Sequence, residues 1–208
     1  MPRRRALLLL AAALPACAEL RRPVIAAPPP PGLLPENSDP GRAAVAVLAE
    51  DFRGAGAGIA NDPARIARGS ALLEWMATEI NAQPRWAPLS RDVRNRMQAA
   101  RSEMRAALGV DPLAPTPRVA AALGAAHLAL ARSDRAAGAA ALSETLFPRG
   151  GEVALARLSN PGPLGEAEIA TGLLAEEVRV LDATGGWTPG SGTPVPAELG
   201  GMGGRPGF

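Results

Sequence analysis

The sequence predicts an all-α protein: a single compact bundle of about six or seven short helices, between a disordered N-terminal linker and a disordered C-terminal tail. Three observations predict this class. Ala supplies 45 of the 208 residues. The alternating β-branched runs that are typical of strands are absent. Helix-capping residues recur through residues 39–183, and a stretch of about 145 residues is long enough for one domain with its own core.

Helix starts are marked by short polar residues that precede a proline, which is favoured at the first helical position. These pairs are Asp39-Pro40, Asp62-Pro63 and Thr116-Pro117, and Ser90 is a further candidate cap. The helix stops are Gly54, Pro84, Gly109 and Pro148. Together the signals predict helices near 40–53, 63–82, 90–108, 117–132, 134–146, 152–159 and 164–183.

The first 17 residues have the pattern of a secretory signal. Arg3, Arg4 and Arg5 form a positive region, and an apolar stretch follows over residues 6–14. Nine residues are too few to cross a bilayer, because a membrane-spanning helix needs about 20. We therefore expect residues 1–16 to be a targeting segment outside the folded domain.

The end of this segment, Leu14-Pro15-Ala16-Cys17, resembles the lipobox of bacterial lipoproteins. The resemblance implies cleavage between Ala16 and Cys17, a diacylglyceryl thioether on Cys17 and acylation of the new N-terminus. Several acyl chains anchor a protein stably, whereas one alone is marginal. In enterobacteria-like sorting, Ala18 implies the outer membrane and a periplasmic domain. The alternative is an ordinary cleaved signal peptide with an incidental cysteine.

Composition excludes several chemistries. The chain has one His and one Cys, which rules out a multi-His metal site and a disulfide within the chain. Removing residues 1–16 leaves 19 of the 22 basic residues against 20 acids, a net charge of −1. A nucleic-acid partner is therefore not expected. We also expect no cofactor and no enzymatic activity, because no nucleophile–base set is recognisable.

Composition also divides the mature chain into three parts. Residues 17–38 are a lipidated cysteine and a Pro-rich tether, which at ~3.1 Å per residue reaches about 60 Å. Residues 39–183 are the all-α domain. Residues 184–208 contain nine Gly and four Pro and are expected to be disordered.

Residues 120–148 resemble one tetratricopeptide repeat. Leu123, Gly124, Ala136 and Pro148 stand at the spacing of that family, with His127 where an aromatic is usual. No second copy lies 34 residues away, and an antiparallel helix pair with a short turn has the same spacing.

The predicted helix 90–108 carries the main candidate site. Beside its apolar face runs an arginine stripe, which we define as Arg91, Arg94, Arg101 and Arg105. It is a candidate face for an anion, a lipid headgroup or a partner protein; the alternative is a solvated face that pairs with acids on neighbouring helices. Glu177 falls within the apolar arc of the last helix, so we expect it to have an arginine partner from this stripe.

Three further residues are assigned structural roles. Trp75 lies opposite the main apolar face of its helix, and we expect it to be buried against the linker or a second layer. Trp86 is expected to fill one end of the core from a loop. The lone His127 flanks an apolar face and is expected to be packed rather than catalytic.

These observations predict a lipid-anchored, periplasmic helical domain that acts as a binding or scaffolding module of the cell envelope. Its partners would be the membrane, through Cys17, and an unidentified envelope protein or lipid. The alternative function is a carrier that holds a small apolar or lipid ligand between helices.

Overall fold

The computed structural model describes residues 27–187, and this part of the chain contains helices and no strands. Seven α-helices follow one another: α1 (Pro40–Asp51), α2 (Pro63–Ala82), α3 (Arg91–Leu108), α4 (Thr116–Ala131), α5 (Arg135–Ala141), α6 (Gly151–Ser159) and α7 (Gly165–Thr184). Short 3-10 helices cover Ala57–Ile59 and Pro84–Trp86. The predicted all-α class is confirmed.

Three of the four predicted caps operate as expected. The side chains of Asp39, Asp62 and Ser90 each accept a hydrogen bond from the backbone N–H three residues later, at 2.8, 3.0 and 3.3 Å. The expectation for Thr116 was wrong. Helix α4 begins at Thr116 itself, and its hydroxyl lies 3.2 and 3.1 Å from guanidinium nitrogens of Arg101 and Arg105. Those donors compete with the capping bond.

Helix α5 is shorter than the predicted helix 134–146 and ends at Ala141. The backbone then turns through residues 142–149. In this turn the Ser143 carbonyl accepts bonds from the amides of Leu146 and Phe147, both at 2.9 Å. The hydroxyls of Ser143 and Thr145 bond to each other at 2.9 Å, and Pro148 disfavours helical geometry at the residue before it.

Helix α2 lies at the centre of the bundle and packs against α1, α3, α4 and α6. Nearly every side chain from Ile66 to Ile80 is buried, which marks a helix covered on all sides. Small residues allow close approach: a Cβ on Gly69 would lie 3.1 Å from the ring of Phe52. The chain at the end of α1 therefore approaches α2 closely at this glycine.

Helix α7 forms the outer layer and packs against α1 and α3. It runs antiparallel to α3, since Ser90 at the start of α3 contacts Glu177, while Glu103 near the end of α3 contacts the first residues of α7. Helices α4 and α5 pack as a pair. The tetratricopeptide resemblance of that pair stays a prediction.

Both predicted domain boundaries need correction. Residues 27–38 were assigned to the tether, yet Leu33 is only 4% exposed and belongs to the core. Trp187 was assigned to the tail, yet its ring packs against the core. The packed part of the chain therefore extends at least from Leu33 to Trp187. The expectations for residues 1–26 and 188–208 fall outside the described part.

Within residues 27–187, no helix combines the length and the apolar character needed to cross a membrane.

Candidate functional site

The predicted lipidation and cleavage residues, Cys17 and Ala16, lie outside the described residues. The arginine stripe and Glu177 lie within them. Their surroundings decide whether the stripe is a free surface or part of the packing.

Arg105 is held inside the bundle by a two-point ion pair with Glu74 of α2. Its Nε and Nη2 donate to the two carboxylate oxygens of Glu74 at 2.6 and 2.8 Å. Glu74 is 1% exposed. The Arg105 guanidinium also donates to the carbonyl of Ala114 at 3.0 Å, which ties the α3–α4 loop to the centre of the bundle.

Two other members of the stripe also have internal partners. The guanidinium of Arg94 donates to the carbonyl of Ile80, near the end of α2, and to the carbonyl of Trp86, in the 3-10 helix that follows. Burial lowers the pKa of Arg101; the nearby Arg105 lowers it further, and Glu74 opposes both effects. These contacts are typical of a cation placed at the C-terminal end of a helix or packed between helices.

The stripe is therefore not a continuous anion-binding or partner-binding face, and this interpretation of Arg94, Arg101 and Arg105 was wrong. Of the four arginines of the stripe, only Arg91 has an exposed side chain without a partner among the described residues. The helical pattern located the stripe correctly, but it did not show that α2 and the α3–α4 loop cover it.

The ion pair expected for Glu177 is also absent among residues 27–187. Its carboxylate accepts bonds from the backbone N–H of Ser90 and from the Ser90 hydroxyl, the latter at 2.9 Å. Glu177 is only half-buried. A free amide at a helix start, together with a hydroxyl, has therefore replaced an arginine as its partner.

Two more glutamates use their carboxylates in the same way, and neither contact was predicted. Glu103 accepts from the amides of Glu166 and Ala167 at 3.1 and 2.9 Å, and so supplies the side-chain cap that α7 lacks. Glu168 accepts from the amides of Gly54 and Ala55, both at 2.9 Å. These contacts hold α7 in position against α3 and against the loop after α1.

His127 is part of the packing between α2 and α4. Its Nδ1 lies 2.9 Å from the carbonyl oxygen of Ala64, so the neutral ring can donate a proton there. The expectation of a packed histidine agrees with this position, and the absence of a catalytic role stays a prediction. No cluster of three metal-ligating side chains is found between residues 27 and 187.

A cleft of about 420 Å³ opens between the loop at residues 54–61 and the loop at residues 159–164. None of its lining side chains is titratable. The amides of Gly54 and Ala55 could hold an anion, but the Glu168 carboxylate already occupies them. The cleft therefore offers neutral polar groups and small apolar surfaces only.

A groove between α2 and α4 holds the start of the described chain, residues 27–31. The Trp75 indole N–H donates to the carbonyl of Ala27 at 2.7 Å. Beside the segment lies a mostly apolar cavity of about 270 Å³, lined by residues 27–31 and by Trp75, Thr78, Thr116, Pro117, Ala120 and Ala121. The predicted burial of Trp75 against the linker is confirmed.

At the C-terminal end of the described residues, the Trp187 ring packs against Trp86. Their ring centroids are 5.6 Å apart, edge to face. The Arg42 guanidinium lies 5.2 Å from the centre of the Trp187 ring and forms an ion pair with Asp182. Trp187 Nε1 donates to Asp182 at 2.7 Å. The bonds from Arg42 and then from Trp187 lower the pKa of Asp182.

Asp182→Asn is expected to loosen this contact and to shift the tryptophan emission to longer wavelengths. The pKa of Asp182 is lower in the folded protein than its ordinary value of 3.8. The stabilisation of the fold by the ionised carboxylate is therefore present above pH 3.8, and it is lost as the pH falls through the lowered pKa. The wild type should therefore show the same shift below that pH. Glu176→Gln, which removes an exposed pair with Arg179 on the same helix, should leave the emission unchanged. An unaltered Asp182→Asn spectrum would contradict the assignment.

The outer surface of α7 carries an apolar stripe. Ile169, Leu173 and Val180 are 46, 40 and 42% exposed and lie on the side away from α3. Leu113, in the α3–α4 loop, is 90% exposed. Exposed apolar side chains that share one face indicate a contact surface more than scattered ones do.

Comparison of the chain with known protein families, curated proteins and solved structures yields no match.

Proposed function

We propose that this chain is a lipid-anchored protein of the bacterial cell envelope whose helical domain faces the periplasm from the outer membrane and serves as a binding or scaffolding module. The observation that carries the proposal is the sequence Leu14-Pro15-Ala16-Cys17 directly after an arginine-flanked apolar segment. A thiol at this position is what the lipoprotein resemblance requires for thioether formation.

The packing of residues 27–33 makes the proposed tether short. At most nine residues, 18–26, are left to act as a spacer between Cys17 and the docked segment. At ~3.1 Å per residue they reach about 28 Å, roughly half the distance expected for a tether through residue 38. A domain held so close to the bilayer meets other envelope components at high local concentration, which favours a binding role.

The alternative, a carrier of a small apolar ligand, receives less support. The mostly apolar cavity between α2 and α4 has about 270 Å³ and is partly closed by residues 27–31. Typical ligand pockets have about 300–1,000 Å³. A carrier should be purified with bound lipid, whereas a binding module should give a specific crosslinked protein partner.

Cys17→Ser is expected to move the protein from the membrane fraction to the soluble fraction, because the hydroxyl does not replace the thiol as the acyl acceptor. Ala18→Ser is the matched control and should stay with the membrane. The measurement is the fraction of protein that sediments with membranes after a high-salt wash. Equal sedimentation of the Cys17→Ser variant and the wild type would overturn the proposed anchor.

A further inference from the structure

We propose that the groove between α2 and α4 is a recognition site for proline-rich segments. In this structure the chain's own residues 27–31 occupy it, and we infer that a proline-rich segment of a partner protein displaces them. The inference goes beyond the proposed anchor, since it names the chemistry of a partner.

The Trp75 indole supplies the polar contact of the groove. Trp75 is 6% exposed, and its N–H reaches the carbonyl of Ala27 at 2.7 Å. A proline-rich strand makes no internal hydrogen bonds, so its carbonyls are free to accept. Because the acceptor is a backbone carbonyl, this hydrogen bond can form with any residue at the position of Ala27.

The shape of the groove matches proline rings. Pro30 lies over Gly124, where an added Cβ would come within 2.9 Å of the Pro30 Cβ. Pro117, Ala120 and Ala121 complete a shallow apolar wall. A proline-rich segment is already extended before binding, so it loses little conformational entropy when it docks against such a wall.

The resident segment is held loosely enough to exchange. Ala27, Pro28 and Pro31 are exposed. Within residues 27–187, no second hydrogen bond joins residues 27–31 to the helices. Gly32 has a φ of +76°, which turns the chain sharply before the buried Leu33. Residues 27–31 can therefore leave the groove while Leu33 keeps the following segment in place.

Displacement would also lengthen the tether, a consequence that rests on the proposed lipid anchor. The connection from Cys17 would grow from residues 18–26 to residues 18–32. At ~3.1 Å per residue the reach rises from about 28 to about 46 Å. Binding of the partner segment would thus let the domain move away from the membrane.

The test uses the chain from residue 17 onward with Cys17→Ser, so that its result does not depend on acylation. Pro29→Ser with Pro30→Ser weakens the resident segment, and circular dichroism verifies that the helices remain. A synthetic peptide of residues 25–32, IAAPPPPG, is titrated by calorimetry. We expect it to bind this variant at least about tenfold more tightly than it binds the chain with its own prolines.

Two controls decide the result. A peptide with serine in place of its four prolines should not bind, and Gly124→Val in the same variant should abolish binding of the proline peptide. In the chain with its own prolines, excess peptide should shift the backbone N–H resonance of the displaced Ala27. Equal binding of the proline and serine peptides, no measurable binding, or binding that is indifferent to Gly124→Val would each overturn the proposal.

Discussion

Arg105→Met is expected to lower the free energy of unfolding by about 3–5 kcal/mol, the usual cost of removing one partner of a buried ion pair. The substitution leaves Glu74, which is 1% exposed, without its cation. It also removes the bond to the Ala114 carbonyl, which holds the α3–α4 loop. The measurement is urea denaturation followed by far-ultraviolet circular dichroism.

Two further variants separate the ion pair from general effects of the substitution. Arg91→Met changes an exposed arginine of the same helix that has no partner in the described part, and it should alter stability by no more than about 0.5 kcal/mol. Glu74→Met combined with Arg105→Met should recover much of the loss, because the buried carboxylate is removed together with the cation that paired with it. Equal effects of Arg105→Met and Arg91→Met would show that the pair does not stabilise the fold.

Trp86→Ala is expected to cost about 3–5 kcal/mol, as large-to-small changes of buried tryptophans do. Trp86 is 2% exposed, and its ring packs on Gly41 at the start of α1, where an added Cβ would lie 2.5 Å from the ring. The truncation opens a cavity between α1 and the end of α2, and it removes the aromatic contact to Trp187. Thermal and urea unfolding measure the loss.

Trp86→Phe separates the ring from its hydrogen bond. Phenylalanine keeps most of the apolar volume but loses the N–H that donates to Glu79 at 3.3 Å. We expect a smaller cost, since Glu79 keeps its ion pair with Arg85 at 2.8 Å. A Trp86→Phe variant as unstable as Trp86→Ala would place the stabilisation in the hydrogen bond rather than in the packing.

Local signals predicted the helices well because they act through neighbouring atoms. Asp39, Asp62 and Ser90 cap their helices through the amide three residues later, and a sequence displays that spacing directly. Trp75 could be assigned to burial for a similar reason, since an indole within a helix rarely stays in water. The prediction that Thr116 caps α4 was wrong because the groups that bond to its hydroxyl, Arg101 and Arg105, belong to another helix.

The polar partners could not be predicted, because they depend on which helices meet. Periodicity placed Arg94 and Arg105 on one side of a helix, but it could not show that Glu74, 31 residues before Arg105, is buried opposite it. The partner of Glu177 is a backbone amide and a hydroxyl at Ser90, 87 residues away. An unbonded amide at a helix start attracts a carboxylate as an arginine does. The composition of the sequence does not show which of these two partners a glutamate will have.

The domain boundaries were misplaced for a related reason. Proline and glycine content indicates that a segment cannot fold by itself, and residues 27–31 indeed form no regular element. The groove that holds them is built from residues far along the chain, chiefly Trp75 and Gly124. A low propensity for structure in isolation therefore did not exclude docking onto a finished surface.

The most direct test of the proposed anchor is the mass of the N-terminal peptide of the protein isolated from membranes. We predict that this peptide begins at Cys17 and carries the mass of a diacylglyceryl group and an N-linked acyl chain. The Cys17→Ser variant should yield no acylated peptide. A wild-type peptide that begins at Cys17 without added mass, or at any other residue, would contradict the lipid anchor.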